Sequence, residues 1–540
     1  MPVVPTTVWQ ARRRDSSPVD RKGDSLPTLT TSAGRATPIA ATLALTALAV
    51  LTHGYHLGAD DAAIYVPAIK RVADPSLYPF GSAFFMSHAH LSFFSEIVGN
   101  SARLTHLPID LAIFAWHFAG IWLLLLAAWR LAAVCFQSDS ARWGSVVLLA
   151  ALLSVPVAGT ALVIMDPYLT ARSLSTPATM FTIACYLSNQ WKQALAWLLL
   201  TALVHPQMSV YAVVFLGCFT LMRRFAASDG LTLALPASLP FLYPFQASRG
   251  PARQALFSRT YFFVGNWTWY EWSGIAAPLA LLWWFSAITP RGTKPAFRTL
   301  AAALVPFGLL SAFAGVLLGI PTWLENYTRL QPMRSFHLAY VIFFVLVGGL
   351  LQEYVLFNSR WRWLCLFVPL AAGMWLLQWS SFPASRHVEW PGSHSANMWT
   401  SAFLWIRDHT PKDAVFALDP DYMLSPGEDM HGFRAVAERS VLADLVKDSG
   451  AVSLFPQLAD EWNRETQAES GWADFHQRDF EKLATEYPVT WIVTLNPAPV
   501  GMVCPYHNQH VAVCRVQGPG IQSPPIQSPP VTVSHAAYRE

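Results

Sequence analysis

The feature that most constrains this chain is a succession of long apolar stretches, separated by short polar ones, over residues 37–382. A helix needs about 20 mainly apolar residues to cross a hydrocarbon core of about 30 Å, and lipid tolerates no unpaired backbone polar group. Eleven stretches approach that requirement: 37–55, 109–134, 143–165, 174–189, 194–204, 207–222, 231–245, 274–289, 300–320, 335–351 and 363–382. The fourth to seventh are short, and 194–222 is one long kinked helix unless the chain turns at His205-Pro206. Only 13% of residues are charged, against about 25% in soluble proteins. That share excludes an ordinary cytosolic enzyme. The 53% hydrophobic content, with 29 Gly and 6 Cys, also excludes disordered, collagen-like and disulfide-dense classes.

Lys and Arg collect on the cytoplasmic side of membrane proteins. With the N-terminus inside, sixteen basic residues of 1–382 fall inside, among them Arg12, Arg13, Arg14, Arg223, Arg224, Arg360 and Arg362. Nine fall outside, although the outer loops are longer. Treating 194–222 as one span carries Arg223, Arg224, Arg291, Lys294, Arg298, Arg360 and Arg362 outside, so the charge pattern favours two. Eleven spans then deliver the C-terminus to the outer face. The charge balance changes there, from 25 basic and 14 acidic residues over 1–382 to 11 and 19 over 383–540.

From 383 onward mixed segments replace apolar ones. Helical periodicity marks 398–407, 457–464 and 474–484; strand patterns mark 414–418, 489–495 and 511–516, with 440–445 a strand or helix start. These predict a small extracytoplasmic α/β domain over 383–516. Residues 1–36 read as a basic, unstructured cytoplasmic segment, the first span as an uncleaved signal anchor, and 517–540 as a Pro-rich flexible tail repeating Ile-Gln-Ser-Pro-Pro from Ile521 and Ile526. Cys504 and Cys514 flank a hairpin-like segment facing an oxidising compartment, which predicts a disulfide. Cys135, Cys185, Cys218 and Cys365 lie in spans and are expected to pack as small hydrophobes.

Polar residues concentrate at the outer ends of the spans, and burial of charge at membrane depth is costly enough to make them informative. Asp60 and Asp61 follow the first span; Asp166 and Arg172 lie in a short second loop; His205 sits at a turn; Arg329, Arg334 and His337 belong to the last outer loop and the span it opens. A single shared cavity is the economical expectation. Carboxylates suit a general base, and the planar guanidinium suits phosphate oxygens, which predicts donor-phosphate contacts for Arg172, Arg329 and Arg334, with Asp166, His205 and His337 as further cavity residues. The competing explanations are local: Asp60 and Asp61 as caps of a helix starting near Ala62, Asp166 before Pro167 as a turn former, and the arginines as interfacial anchors.

The acidic pair after the first span, a long first outer loop (58–108), short paired middle spans, an Arg-bearing late loop and a C-terminal soluble domain together resemble the GT-C class of polytopic glycosyltransferases. Arg172-Ser173-Leu174-Ser175-Thr176-Pro177, His205-Pro206, Gln331-Pro332-Met333-Arg334 and Trp405-Ile406-Arg407-Asp408-His409-Thr410-Pro411 resemble uncharacterised bacterial members of that type. The resemblance spans roughly 37–516 and implies a mainly α, GT-C-like membrane protein of a bacterial inner membrane. The implied reaction is inverting transfer of a sugar from a polyprenyl-phosphate donor to an acceptor outside the cytoplasm, with Asp60 or Asp61 as base or acceptor-orienting group. Some members need a divalent cation, Mg or Mn, and others do not; an Asp-Asp pair does not distinguish them. Polyprenyl phosphate is a good leaving group, so no second carboxyl acid is needed, in contrast to glycosidases.

Other motifs carry less. His88-Ala-His90 with Glu96 has spacing a metal could use but lacks a nearby partner, so no residues are assigned as metal ligands. The aromatic run Phe262, Phe263, Trp267, Trp269, Tyr270 and Trp272 suits an interfacial belt or stacking on a sugar. No P-loop, HExxH or dinucleotide fingerprint occurs, and the acidic soluble domain gives nucleic-acid binding no support. The rival functions are a transporter or flippase of lipid-linked solutes, disfavoured by nearly charge-free span centres and the lack of internal duplication, and a non-catalytic membrane scaffold.

Overall fold

The computed structural model describes residues 33–225, 248–320, 322–357 and 359–516. The expected N-terminal segment as far as residue 32, the expected span at 231–245 and the tail at 517–540 lie outside the described residues.

Helix α1 (Ala33–His53) leads into α2 (Ala62–Ala73), α3 (Ala83–Ala89) and α4 (Phe94–Thr105), which build the long first loop. There follow α5 (Ile109–Cys135), α6 (Asp139–Ala151), α7 (Ala171–Leu187), α8 (Trp191–Val204), α9 (Pro206–Phe225) and α10 (Gly250–Phe257). The helical body closes with α11 (Trp269–Ile288), α12 (Pro295–Gly319), α13 (Phe336–Leu351) and α14 (Arg360–Ser381). The protein is mainly helical. Among the described residues, four helical stretches are long and apolar enough to cross a membrane: Ile109–Cys135, Pro295–Gly319, Thr322–Leu356 and Arg360–Ser381.

Four is fewer than the eleven expected from hydropathy, and the difference has physical causes. Residues 143–165 do not form one helix: α6 stops at Ala151, and Pro156, which has no N–H to donate and a fixed φ, lies in irregular backbone bridged to Val163. α7 is short and is a core helix, with Arg172, Ser173, Ser175, Thr176, Thr179 and Thr182 all buried. In α1 and α8 the apolar runs shorten to Pro38–His53 and Trp191–Val204. Window averaging counts apolar content whether or not the residues form one continuous helix. The stretch 194–222 does divide, at His205, into α8 and α9.

The helical body presents apolar stripes outward. Trp191, Leu195, Leu199 and Leu203 recur every four residues along α8 and are exposed, and α14 exposes Trp361, Leu364, Val368, Leu376 and Trp379. Stripes of this extent suit lipid rather than water. Cys135, Cys185 and Cys218 are buried as expected of small hydrophobes, whereas Cys365 is exposed on α14.

The C-terminal domain surrounds a five-stranded sheet ordered β2-β1-β3-β5-β4, from β1 (Val415–Ala417), β2 (Ser440–Val441), β3 (Trp491–Leu495), β4 (Val503–His507) and β5 (Val511–Arg515). β1 pairs in parallel with β2 and β3, and β5 runs antiparallel between β3 and β4. Helices α15 (Met398–His409), α16 (Phe433–Ala437), α17 (Asp448–Leu454), α18 (Ala459–Ala468) and α19 (Gln477–Glu486) complete it. Alternation along β1 explains why both faces are covered. Phe416 packs with Phe403, Phe433 and Trp491, and its neighbours Val415 and Ala417 pack with Trp472, Phe480 and Leu483. Cys504 on β4 and Cys514 on β5 form a disulfide.

This domain is bonded into the first loop. Gly432 donates its N–H to Gly58 O (2.9 Å), and Asp60 donates its own to Met430 O (2.8 Å). Buried Lys70 of α2 pairs with Asp110 at the start of α5 and with Glu438 of the domain, each at 2.8 Å. Ala435 of α16 enters one core with Tyr65 and Val66 of α2, and Ala252 and Ala255 of α10 pack with Val452 and Trp462.

Candidate active site

Asp60 adopts φ +48°, the left-handed region that aspartate tolerates better than most side chains. The turn at Asp60 is fixed by its backbone bond to Met430, and Asp61 then occupies the N-cap position of α2. The Asp61 side chain makes no capping bond, so helix capping does not describe what this pair does.

Both carboxylates instead meet cations. Asp61 Oδ2 accepts from Arg172 Nη2 at 3.2 Å, and the same nitrogen donates to Asp166 Oδ2 at 2.8 Å. Lys447 Nζ bridges the pair, bonding Asp60 Oδ1 and lying 3.3 Å from Asp61 Oδ1. Tyr168 donates its hydroxyl to Asp60 Oδ2 at 2.8 Å, and Thr170 donates its own to Asp166 Oδ2 at 3.0 Å. Thr170 also caps α7 in a reciprocal box with Ser173, which fixes Arg172 in the first turn of that helix. Three separate chain segments therefore supply one charge network.

Electrostatics follow from this packing. Burial alone raises a carboxyl, but Lys447, Arg172 and Arg334 together outweigh it at Asp61 and hold that group well below the usual carboxylate range. Burial lowers an ammonium, yet Asp60 and Asp61 hold Lys447 up at about 12. Asp166, nine-tenths or more buried, is raised by that burial despite Arg172 beside it.

Arg334 lies within electrostatic reach of Asp61, Tyr65, His88 and His205. Its guanidinium carbon sits 4.7 Å from the centre of the Tyr261 ring, a cation–π contact. The Arg334 side chain makes no hydrogen bond or ion pair with a described residue, and its Nε is buried without a partner. Tyr261 also borders a cavity of about 260 Å³ whose other walls include Gly159, Asn266, Trp267 and Glu271. Within the aromatic run, Trp267 is buried in that wall and Trp269 and Tyr270 are exposed.

The sequence-derived residues divide clearly. Asp60, Asp61, Asp166 and Arg172 are directly bonded into one network, with Arg334 beside it. His205 and His337 are within electrostatic reach of Arg172 and Arg334, and His337 Nε2 is tied to Ile164 O at 2.9 Å. Arg329 is oriented elsewhere, its guanidinium bonding Ser248. Cys504 and Cys514 belong to the β4–β5 hairpin. His88 packs edge-on against Tyr65, their ring centres 5.1 Å apart.

Sequence reasoning missed Lys447, Tyr168 and Arg259, whose guanidinium bonds Val446 O and Ser449 Oγ at the start of α17. Lys447 lies in an acidic domain almost 390 residues from its partners, and no local pattern singles it out. Arg172, Arg334 and Lys447 stand against Asp60, Asp61 and Asp166, so the charges balance, and Arg334 alone of the three cations has no carboxylate bonded to it, which leaves it open to an anion. The site does not fit a divalent cation at the acidic pair, because an ammonium already lies between the two carboxylates.

A scan of known protein families finds no match to the chain, and a search of curated proteins finds none either.

Proposed function

We propose that the chain is a GT-C-like glycosyltransferase of the bacterial inner membrane that moves a sugar from a polyprenyl-phosphate donor to an acceptor on the extracytoplasmic face, with inversion. The four long apolar helices, with the shorter ones completing the bundle around them, and a C-terminal domain on the outer side belong to this reading. The observation that carries it is the convergence of the Asp60–Asp61 pair with Arg172 and Lys447, beside an Arg334 whose guanidinium has no hydrogen-bonding partner among the described residues. A guanidinium with no carboxylate bonded to it fits a phosphate, which it binds through paired N–H groups.

The chemistry then runs as follows. The donor phosphate takes Arg334 and competes for the other cations, which stabilises charge on the departing polyprenyl phosphate. As Arg172 and Lys447 turn to phosphate, both carboxylates are released from their ion pairs, and Asp60 or Asp61 takes the acceptor proton as the acceptor oxygen attacks the anomeric carbon. The bond to the phosphate oxygen breaks on the opposite face, which inverts the centre. The cavity beside Tyr261, with Trp267 in its wall, has the size and aromatic lining for a sugar.

Single changes of Asp60 and Asp61 to Asn test this reading in cells producing the full chain. Loss of the glycan product at normal membrane abundance supports it. Unaltered product in both variants overturns it and leaves a scaffold.

A further inference from the structure

Where α1 ends, the chain turns at Gly54 (φ +77°), and a Cβ there would lie 2.6 Å from His387 O. This turn brings residues 55–57 alongside 387–389. Tyr55 bridges Val388 in parallel, Tyr55 N–H donates to His387 O (3.0 Å), and Glu389 N–H donates to Tyr55 O (2.8 Å). His56 and Glu389 thereby become neighbours, and the bridge between Ala59 and His431 brings in a third residue from the C-terminal domain.

His431 Nε2 lies 3.0 Å from Glu389 Oε1, and His56 Nδ1 lies 3.9 Å from the same oxygen. One donor atom from each of the three residues falls within 4.8 Å of the other two. Tetrahedral zinc with bonds of about 2.0–2.1 Å holds its ligand atoms about 3.3 Å apart, a spacing that small side-chain adjustments would reach. The other contacts are those of an outer shell. His431 Nδ1 faces Glu428 O at 3.0 Å, which fixes the tautomer that leaves Nε2 free to ligate, and Glu389 Oε2 accepts from Leu57 N–H at 3.0 Å.

A proton shared by His431 and Glu389 accounts for those two residues alone. It leaves His56, a fully buried imidazole with neither ring nitrogen hydrogen-bonded to a described residue. A metal ion accounts for all three. We propose that His56, Glu389 and His431 bind one divalent transition-metal ion of the zinc class. Two imidazoles and one carboxylate favour zinc over the all-oxygen ligation of Mg or Ca. The ion joins the end of α1, the segment after α14 and the C-terminal domain, and so fixes the domain on the membrane body. It is independent of the acidic pair and of the sugar-transfer reading.

The test is metal analysis of the full chain, purified in detergent with a tag other than polyhistidine and without chelator. About one zinc per chain is expected. Chelator-stripped protein should take up one equivalent of Co(II) with the visible absorption of a four-coordinate site. Glu389→Gln, which keeps an acceptor for Leu57 N–H, and His56→Ala should each weaken Co(II) binding at least tenfold. Stripped wild-type protein that keeps its thermal midpoint but takes up no Co(II) overturns the proposal, as does undiminished uptake by both variants.

Discussion

Arg172→Met removes the cation between Asp61 and Asp166 while keeping most of the side-chain volume. Arg172 and Asp166 are both at least nine-tenths buried and 2.8 Å apart; Asp61, at 3.2 Å, is more exposed and keeps Lys447. The loss therefore concentrates on Asp166. Stranding one member of a buried pair costs about 3–5 kcal/mol, and the lower end applies because Thr170 still donates to Asp166 and the carboxyl can take up a proton. At roughly 1 °C per kcal/mol for a chain of this size, the thermal midpoint should fall by about 3 °C at pH 7.5. The sign of the pH dependence is set by Asp166. Its folded pKa, already raised by burial, rises further without Arg172, so the folded state holds a proton that the unfolded state releases. The deficit should shrink as pH falls from 7.5 toward 5. Adding Asp166→Asn, which needs no counter-charge, should recover about 2 kcal/mol of the loss. Scanning calorimetry or intrinsic-fluorescence melting in detergent measures all three. A midpoint unchanged by Arg172→Met, or a double variant no better than the single one, refutes the inference that these charges form one buried network.

Arg334→Gln should leave the thermal midpoint within about 2 °C, since only a cation–π contact worth about 0.5–1 kcal/mol is lost, yet lower polyprenyl-phosphate binding at least tenfold. A large loss of stability with intact binding would reverse that assignment. Lys447→Met should cost about 1–2 kcal/mol, less than a fully buried pair because Asp60 and Asp61 are partly exposed, and should abolish transfer; unchanged product formation would remove Lys447 from the site. Within the domain, burial raises Glu465 to about 7, and burial followed by the charge of Glu465 raises Glu469 well above the carboxylate range. Both folded values exceed the unfolded ones, so stability is greatest at low pH and declines as pH rises from about 4.5 through 7, by up to about 3 kcal/mol through Glu465. Glu469→Gln, still able to accept from Leu418 N–H, should raise the melting midpoint at pH 8 more than at pH 5; an equal change at both would contradict this.

The parts that were predictable from sequence are those with local signals. Short apolar runs rich in β-branched and aromatic residues mark β1, β3 and β5, and helical periodicity marks α15 and most of α19. The break at His205-Pro206 was visible because proline lacks an N–H and ends a helix ladder. The irregular backbone after Ala151 was not, since hydropathy alone does not register a chain that leaves the helix while staying apolar. Edge strand β4 alternates exposed and half-buried residues around Pro505, which hides it. Asp60, Asp61, Asp166 and Arg172 were recoverable because charge at span ends is costly and therefore conspicuous. Lys447, Glu389 and His431 belong to a polar domain where such residues are ordinary, and tertiary packing alone assigns their partners. Arg329 shows the converse: its place in an Arg-bearing loop is that of Arg334, but its guanidinium turns to Ser248.

The most direct measurement is a cryo-electron microscopy structure of the full chain in a lipid nanodisc with a polyprenyl-phosphate sugar donor. The phosphate should lie within hydrogen-bonding distance of Arg334, with Asp60 or Asp61 facing the anomeric carbon from the opposite side. A donor phosphate bound away from Arg334, with the Asp60–Asp61–Lys447–Arg172 network intact, would contradict the proposal.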